Sequence, residues 1–268
     1  MLNVTSSAPT IWMPDWASFS HEQLLAIQVS GLEVKYWMEV LARTGDTLVT
    51  EILRGVDELI VDQYYPEDTV EDHDSGSQYY FHAHSDRDDE YGHFHAYLMP
   101  TALPAGMRAP KAAPTGEHED PFRTHCHLVA ISMANGGAPD SLFSINHWSS
   151  QEACYTPEQI LEMIDLFDIN HAAPSWPANR WVGNMLRFFK PQIAELLRSR
   201  QQVLQQRGAM VPSVDPAADE AIEVTSQIRI DVDLQLAGVM QELNRRTPGG
   251  DFAQAMLQNG SAANPLHV

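Results

Sequence analysis

Basic residues are scarce in this sequence. Lys and Arg number 16 against 36 Asp and Glu, which gives a formal net charge of −20 at pH 7. A surface of that sign repels nucleic-acid phosphates and anionic lipid headgroups. We therefore expect neither nucleic acid nor a membrane as a partner. The sequence leaves the oligomeric state open, a homo-oligomer included.

Cysteines and long apolar runs are also few. Cys126 and Cys154 form no C-x-x-C pattern, and two thiols are too few for a disulfide framework. No segment approaches the roughly 20 apolar residues that span a bilayer. The first residues, "MLNVTSSAPTIWMPDW", lack the basic and apolar regions of a signal peptide. We expect a cytoplasmic protein.

The composition is that of a globular chain. Of 268 residues, 44% are hydrophobic and 19% are charged, which is typical of soluble folded domains. Local patterns predict an N-terminal arm over residues 1–19, a single α+β domain over residues 20–248 and a loosely ordered tail over residues 249–268.

Helical signals flank the middle of the chain. On the N-terminal side, Ser20 and Gln23 form a capping-box pattern at the start of an apolar-periodic segment that ends at Gly45. A second, short helix is predicted after Asp46 as N-cap, with Gly55 just past its end.

On the C-terminal side, Thr156 and Gln159 form another capping-box pattern. Residues 179–206 predict one long helix that Pro191 kinks. A last helix is predicted after Asp231, although the stretch "IRIDVDLQL" also alternates as a strand does.

Between these helices the period changes to two. Five short runs rich in β-branched and aromatic residues are separated by turn signals: "ELIVDQYY", "SQYYFHAHS", "YGHFHAYLMP", "HCHLVAISM" and "SLFSINHW". We predict an antiparallel sheet or open barrel of about five strands over residues 58–148, packed by the N-terminal and C-terminal helices. Residues 100–124 are long enough to form a lid, or an insertion without a role.

Two of these runs carry H-x-H pairs. Side chains at i and i+2 of a strand share a face, so His82 lies beside His84, and His93 and His95 continue into Tyr97. If His84 stands opposite His93, then His82 falls opposite His95 and four imidazoles share one face. A slip of one residue would place the pairs on opposite faces.

The next run repeats the pattern with His125 and His127, and simple alternation predicts Val129 and Ile131 on their face. His147 is a further candidate. One such pair would be an ordinary half-buried strand feature. Three pairs in consecutive strands favour a metal-binding domain, because packed imidazoles without a metal would leave ring nitrogens unsatisfied. The predicted ligands are His82, His84, His93, His95, His125 and His127.

Imidazoles without thiolates favour iron or copper, with zinc, manganese or nickel also compatible. The candidate catalytic residues are Glu90, an acid in the loop beside the histidine pairs, and Tyr97. Other acids that could complete a ligand shell are Asp89, Glu117 and Glu119.

The H-x-H pattern resembles the first motif of the cupins, many of which are non-haem metal enzymes. The sequence departs from the cupin spacing, because "HAHSDRDDEYGHFH" supplies a second H-x-H in place of a glutamate. The motifs "QYYFHAH", "GHFH" and "HLVAISM" more closely resemble a bacterial family of uncharacterised proteins, over at least residues 60–150. That resemblance implies no activity.

Three functions fit these features. The first is an iron or copper oxidoreductase or oxygenase acting on a small molecule, and the second is a protein that stores, delivers or senses a metal. The third is a zinc hydrolase with Glu90 or Glu117 as general base. We favour the first, because histidines on rigid strands are pre-organised for catalysis.

Overall fold

The computed structural model describes residues 11–84, 90–99, 103, 107, 125–150 and 154–246. The predicted tail and the first ten residues of the predicted arm lie outside these ranges, and the domain boundaries stay predictions. In the described part of the chain, no helix has the length and apolar character needed to cross a membrane.

Among the described residues, six strands form one open antiparallel sheet in which every strand pairs with its neighbour in sequence. This confirms the predicted α+β class with a central antiparallel sheet. The strands are β1 (Tyr65–Asp72), β2 (Ser77–His82), β3 (Gly92–Leu98), β4 (Cys126–Met133), β5 (Pro139–Ile145) and β6 (Val224–Arg229).

The predicted strands are wrong at both edges of the sheet. The run over residues 58–65 is not a strand except at Tyr65, and Asp62 within it has a positive φ of 61°. β6 is not among the five predicted strands, because the alternating stretch "IRIDVDLQL" runs from this strand into the helix that follows it. Asp231 separates the two elements: its carboxylate accepts the backbone N–H of Leu234 at 2.8 Å, as the predicted cap does.

The described part of the chain also contains seven α-helices: α1 (His21–Ala42), α2 (Leu48–Ile52), α3 (His147–Ser150), α4 (Pro157–Leu166), α5 (Trp176–Phe188), α6 (Lys190–Met210) and α7 (Val232–Arg246). The capping boxes predicted at Ser20 with Gln23 and at Thr156 with Gln159 are both confirmed. Each box satisfies two backbone N–H groups that the helix itself cannot pair.

Two helix predictions are wrong in detail. Thr47, not Asp46, is the N-cap of α2, because the Asp46 carboxylate instead accepts the hydroxyl groups of Thr44 and Thr50. The predicted long helix is two helices that break at Phe189. Pro191 lies in the first turn of α6, where its missing N–H has no acceptor to lose.

The helices cover one face of the sheet. Tyr79 on β2 donates its hydroxyl hydrogen to the side chain of Asn179 on α5 at 2.6 Å, and the Phe94 ring on β3 lies 5.5 Å from the ring of Trp181 on α5. At the other edge, Ser226 on β6 donates to a backbone carbonyl of α6. Because strand side chains alternate, the residues next to Tyr79, Phe81 and Phe94 along the chain point to the opposite face of the sheet.

Candidate metal centre

The register of β2 against β3 places His82 opposite His93 and Tyr80 opposite His95. The predicted pairing of His84 with His93 is therefore wrong, and β2 ends at His82. The true partner lies two residues from the predicted one. An even shift keeps the side chains on the predicted face, so His82, His93 and His95 still stand together.

Gly92 allows β3 to begin this close to the end of β2. Its φ is +146°, and a Cβ atom there would lie 2.6 Å from the carbonyl oxygen of His82 and 2.5 Å from the Phe81 ring. Glycine alone tolerates both the backbone conformation and the approach. It thereby helps to fix the register that opposes His82 and His93.

The three histidines lie on the face of the sheet away from Phe94, which we call the histidine face. His82, His93 and His95 are only 7%, 1% and 3% exposed. One potential ligand atom from each lies within 4.8 Å of the other two, and the Nε2 atoms of His82 and His95 are 3.0 Å apart. Two nitrogens bound at about 2.1 Å and at right angles to one metal are about 3.0 Å apart. This triad can hold a metal ion.

Glu90 contacts the Nδ1 side of the His93 ring. One carboxylate oxygen of Glu90 lies 2.8 Å from Nδ1 of His93, and the other accepts the Ser132 hydroxyl at 2.6 Å. A carboxylate at Nδ1 favours the tautomer that carries the proton there and leaves Nε2 as the metal-binding atom. Ser132 lies opposite His93 on β4 and in turn fixes the carboxylate.

His95 is contacted through both ring nitrogens. Its Nε2 faces His82, and its Nδ1 lies 2.9 Å from Nε2 of His127. Burial lowers the pKa of His95 well below its usual value, and repulsion from His93, His127, His82 and His84 lowers it further. His95 is therefore a neutral ring, which is the form that binds metals.

A β-bulge in β4 brings His127 to the histidine face. His127 opposes Tyr97, but the next pair along β3 is Ala96 with Val129, so Leu128 is an extra residue. The expectation that Val129 and Ile131 share the face of His127 is wrong, since both pack in the core on the helical side.

The candidates His84, His125 and His147 lie outside the triad. His84 Nδ1 is 2.6 Å from the carboxylate of Asp62, and the His84 side chain is 26% exposed. His125 precedes β4, where its Nε2 lies 3.2 Å from the Ser150 carbonyl. His147 is in α3, with Nε2 3.2 Å from the Arg200 guanidinium.

The roles of His84, His125 and His127 as metal ligands stay predictions. So do the catalytic roles of Glu90 and Tyr97. The candidate acids Asp89, Glu117 and Glu119 lie outside the described residues. Of the predicted lid over residues 100–124, only Leu103 and Met107 are described, and both pack half-buried against the core.

Aromatic rings border the triad. The Tyr80 ring lies 5.2 Å from that of His95 and 5.5 Å from that of His82, and its hydroxyl is 3.0 Å from the Tyr97 hydroxyl. Burial raises the pKa of Tyr80, so the phenol keeps its proton. On the other side, the Phe143 ring stands edge-on at 5.0 Å from His93.

Sequence reasoning missed two of these neighbours: Ser132 and Asp62. Ser132 and Asp62 gave no signal, since each reaches the site only through the pairing of distant segments.

Fold and site together define an α+β protein whose open antiparallel sheet carries, on one face, a buried histidine cluster that can hold a metal ion. Residues 29–230, which are most of the chain, match the family described as Domain of unknown function (DUF6969), and the protein belongs to it. This confirms the predicted membership of an uncharacterised family. No curated protein and no solved structure matches the chain.

Proposed function

We propose that this protein is a metal-dependent oxidoreductase in which His82, His93 and His95 bind one iron or copper ion. The observation that carries the proposal is the convergence of three buried imidazoles from two adjacent strands. Strand backbones fix the directions of these side chains, so the geometry exists before the ion arrives.

The ligand set determines the chemistry. Three neutral imidazoles would leave the charge of a divalent ion uncompensated, and an ion held by His82, His93 and His95 would supply Lewis-acid or redox chemistry to a small substrate. Imidazole nitrogens suit iron and copper as well as zinc. Glu90 orients His93 in this proposal, and His127 orients His95 by accepting its Nδ1 hydrogen.

The tyrosines support redox chemistry over hydrolysis. Tyr80 contacts two of the three rings, and its hydroxyl meets that of Tyr97. In this proposal the protonated phenols would donate hydrogen bonds to a small molecule held beside the triad, with Tyr97 in the catalytic role predicted for it. Glu90 is a weaker general base than a zinc hydrolase needs, because both of its oxygens are already engaged.

The burial of the triad favours an enzyme over a carrier. A protein that delivers a metal must release it readily, whereas none of these three ligands is more than 7% exposed. A small polar molecule or dioxygen is the class of substrate that suits such an enclosed centre.

Metal analysis of the full chain, expressed without an affinity tag, tests the centre. We expect about one equivalent of a transition metal per chain, and loss of that metal in H82A and H95A. The variants H21A and H171A serve as controls and should retain it. A folded wild-type protein that takes up no iron, copper or zinc would refute the proposal.

Oxygen consumption tests the redox class. The iron- or copper-loaded protein with ascorbate as reductant should consume dioxygen faster than H95A treated in the same way, and Y97F should be slower than wild type at equal metal content. A protein that binds only zinc, or that binds iron and copper but consumes no oxygen, would support one of the other two functions.

A further inference from the structure

We propose that Asp62 and His84 form an entry site that captures a divalent metal ion at the surface and passes it to His82 and His93. This inference rests on the metal centre proposed above. The carboxylate of Asp62 and Nδ1 of His84 are 2.6 Å apart, and their side chains are 67% and 26% exposed. His84 lies two residues past the end of β2, where the buried His82 stands.

The backbone holds Asp62 in this position. Its φ of 61° lies in the left-handed region, which residues other than glycine, asparagine and aspartate rarely adopt. Its N–H donates to the carbonyl oxygen of Ala83 at 2.9 Å. Because Ala83 separates His82 from His84, this bond ties the carboxylate to the segment that carries both rings. The conformation and the bond together keep the Asp62 carboxylate beside the His84 ring.

The spacing of the rings allows an ion to pass from one to the next. The His84 ring centroid lies 4.5 Å from that of His82 and 5.2 Å from that of His93, and those two are 4.4 Å apart. An ion about 2.1 Å from a ring nitrogen is roughly 3.2 Å from the ring centroid, so two rings up to about 6 Å apart can bind it together. The ion can therefore exchange one ligand at a time.

The chemistry of the pair suits the first step. A hydrated ion must lose water before it reaches a buried triad, and an exposed carboxylate with an imidazole offers the first replacement ligands. The net charge of −20 raises the local concentration of cations around such a site.

Stopped-flow measurement of Co²⁺ or Cu²⁺ uptake by the full-length apo-protein tests the proposal. Aspartate is replaced by asparagine, which keeps its shape and tolerates a positive φ. In D62N and H84A we expect association to slow by about tenfold or more, within the range by which local charges change association rates. Release into excess EDTA should slow by the same factor, because an entry route is also the exit route. The dissociation constant should stay within about twofold of wild type.

The chain offers a matched control. His73 and Glu71 form another histidine–carboxylate pair, 3.4 Å apart, at the opposite end of the β1–β2 hairpin. The variants E71Q and H73A should bind and release the metal at wild-type rates. High salt should also slow uptake by wild type more than uptake by D62N.

The possible failures are distinguishable. Wild-type rates in D62N and H84A would overturn the entry site and leave the triad standing. A weakened dissociation constant with faster release in H84A would make His84 a permanent ligand and also overturn it. If wild-type protein takes up no metal, the metal centre and the entry site fall together.

Discussion

The Nε2 atoms of His82 and His95 lie 3.0 Å apart although the two residues are not register partners, since His82 opposes His93 and Tyr80 opposes His95. This diagonal contact joins the two imidazoles directly. The same separation would fit two nitrogens at right angles on one metal. The proposed centre would therefore need little rearrangement of these two side chains to bind an ion.

Metal binding should stabilise the folded chain. At a free metal concentration 100 times the dissociation constant, we expect a gain of about 2.7 kcal/mol in the free energy of unfolding. Thermal melts with and without metal would measure it. H93A should lose the gain, whereas H73A, at the exposed surface, should keep it. A full metal-dependent shift in H93A would contradict the triad.

Glu90 should affect the affinity of the centre without changing its stoichiometry. In E90Q the carboxylate that holds the proton on Nδ1 of His93 becomes a neutral amide. We expect the metal affinity to fall by about 10-fold to 100-fold, as for other outer partners of ligating histidines.

Competition with a chelator of known affinity would measure this change. S132A, which removes the hydrogen bond to the other carboxylate oxygen, should have a smaller effect in the same direction. Wild-type affinity in E90Q would show that Glu90 does not orient the ligand.

Gly31 should be intolerant of alanine, although alanine usually stabilises a helix by about 1 kcal/mol relative to glycine. A Cβ atom at this position of α1 would overlap the Phe188 ring of α5. We expect G31A to lower the free energy of unfolding by about 1–3 kcal/mol in urea. G136A is the control, because no atom lies within 4 Å of its added Cβ, and its effect should stay within about 0.5 kcal/mol.

Asp72 should make stability depend on pH in the acidic range. Burial acts to raise its pKa, but hydrogen bonds from the backbone N–H groups of Asn170, Ser75 and Asp74 outweigh burial and lower the pKa. The stabilisation is therefore complete above the pKa of an unfolded aspartate, about 3.9, and is lost as the pH falls through the lower folded value.

We expect D72N to be less stable than wild type by about 1–3 kcal/mol at pH 7. The difference should shrink as the pH falls below about 4. Urea titrations of both proteins between pH 7 and pH 2.5 would measure it. A difference that does not change with pH would assign the loss to packing instead of charge.

Local signals in the sequence predicted local structure well. The capping boxes at Ser20 and Thr156 depend on residues three positions apart, so the sequence contains all of the information. The grouping of His82, His93 and His95 followed from the period of two and survived a register error, because that error was even.

Contacts between distant segments could not be predicted in the same way. The length of the β2–β3 connection does not by itself fix the register, and Gly92 reveals its role only once Phe81 and the His82 carbonyl are seen beside it. The β-branched neighbours of Asp62 favour a strand, whereas its backbone has a positive φ and its N–H donates to the distant Ala83 carbonyl.

The bulge at Leu128 decides which side chain lies against the proposed metal centre without changing its three histidines. Were β4 to keep Leu128 but pair in plain alternation, Leu128 would stand opposite Tyr97 and His127 would point toward the helices, while His82, His93 and His95 would keep their places on β2 and β3. The local pairing of one neighbouring strand can thus exchange the partner of His95. Evolution could tune such a centre through the register of that strand.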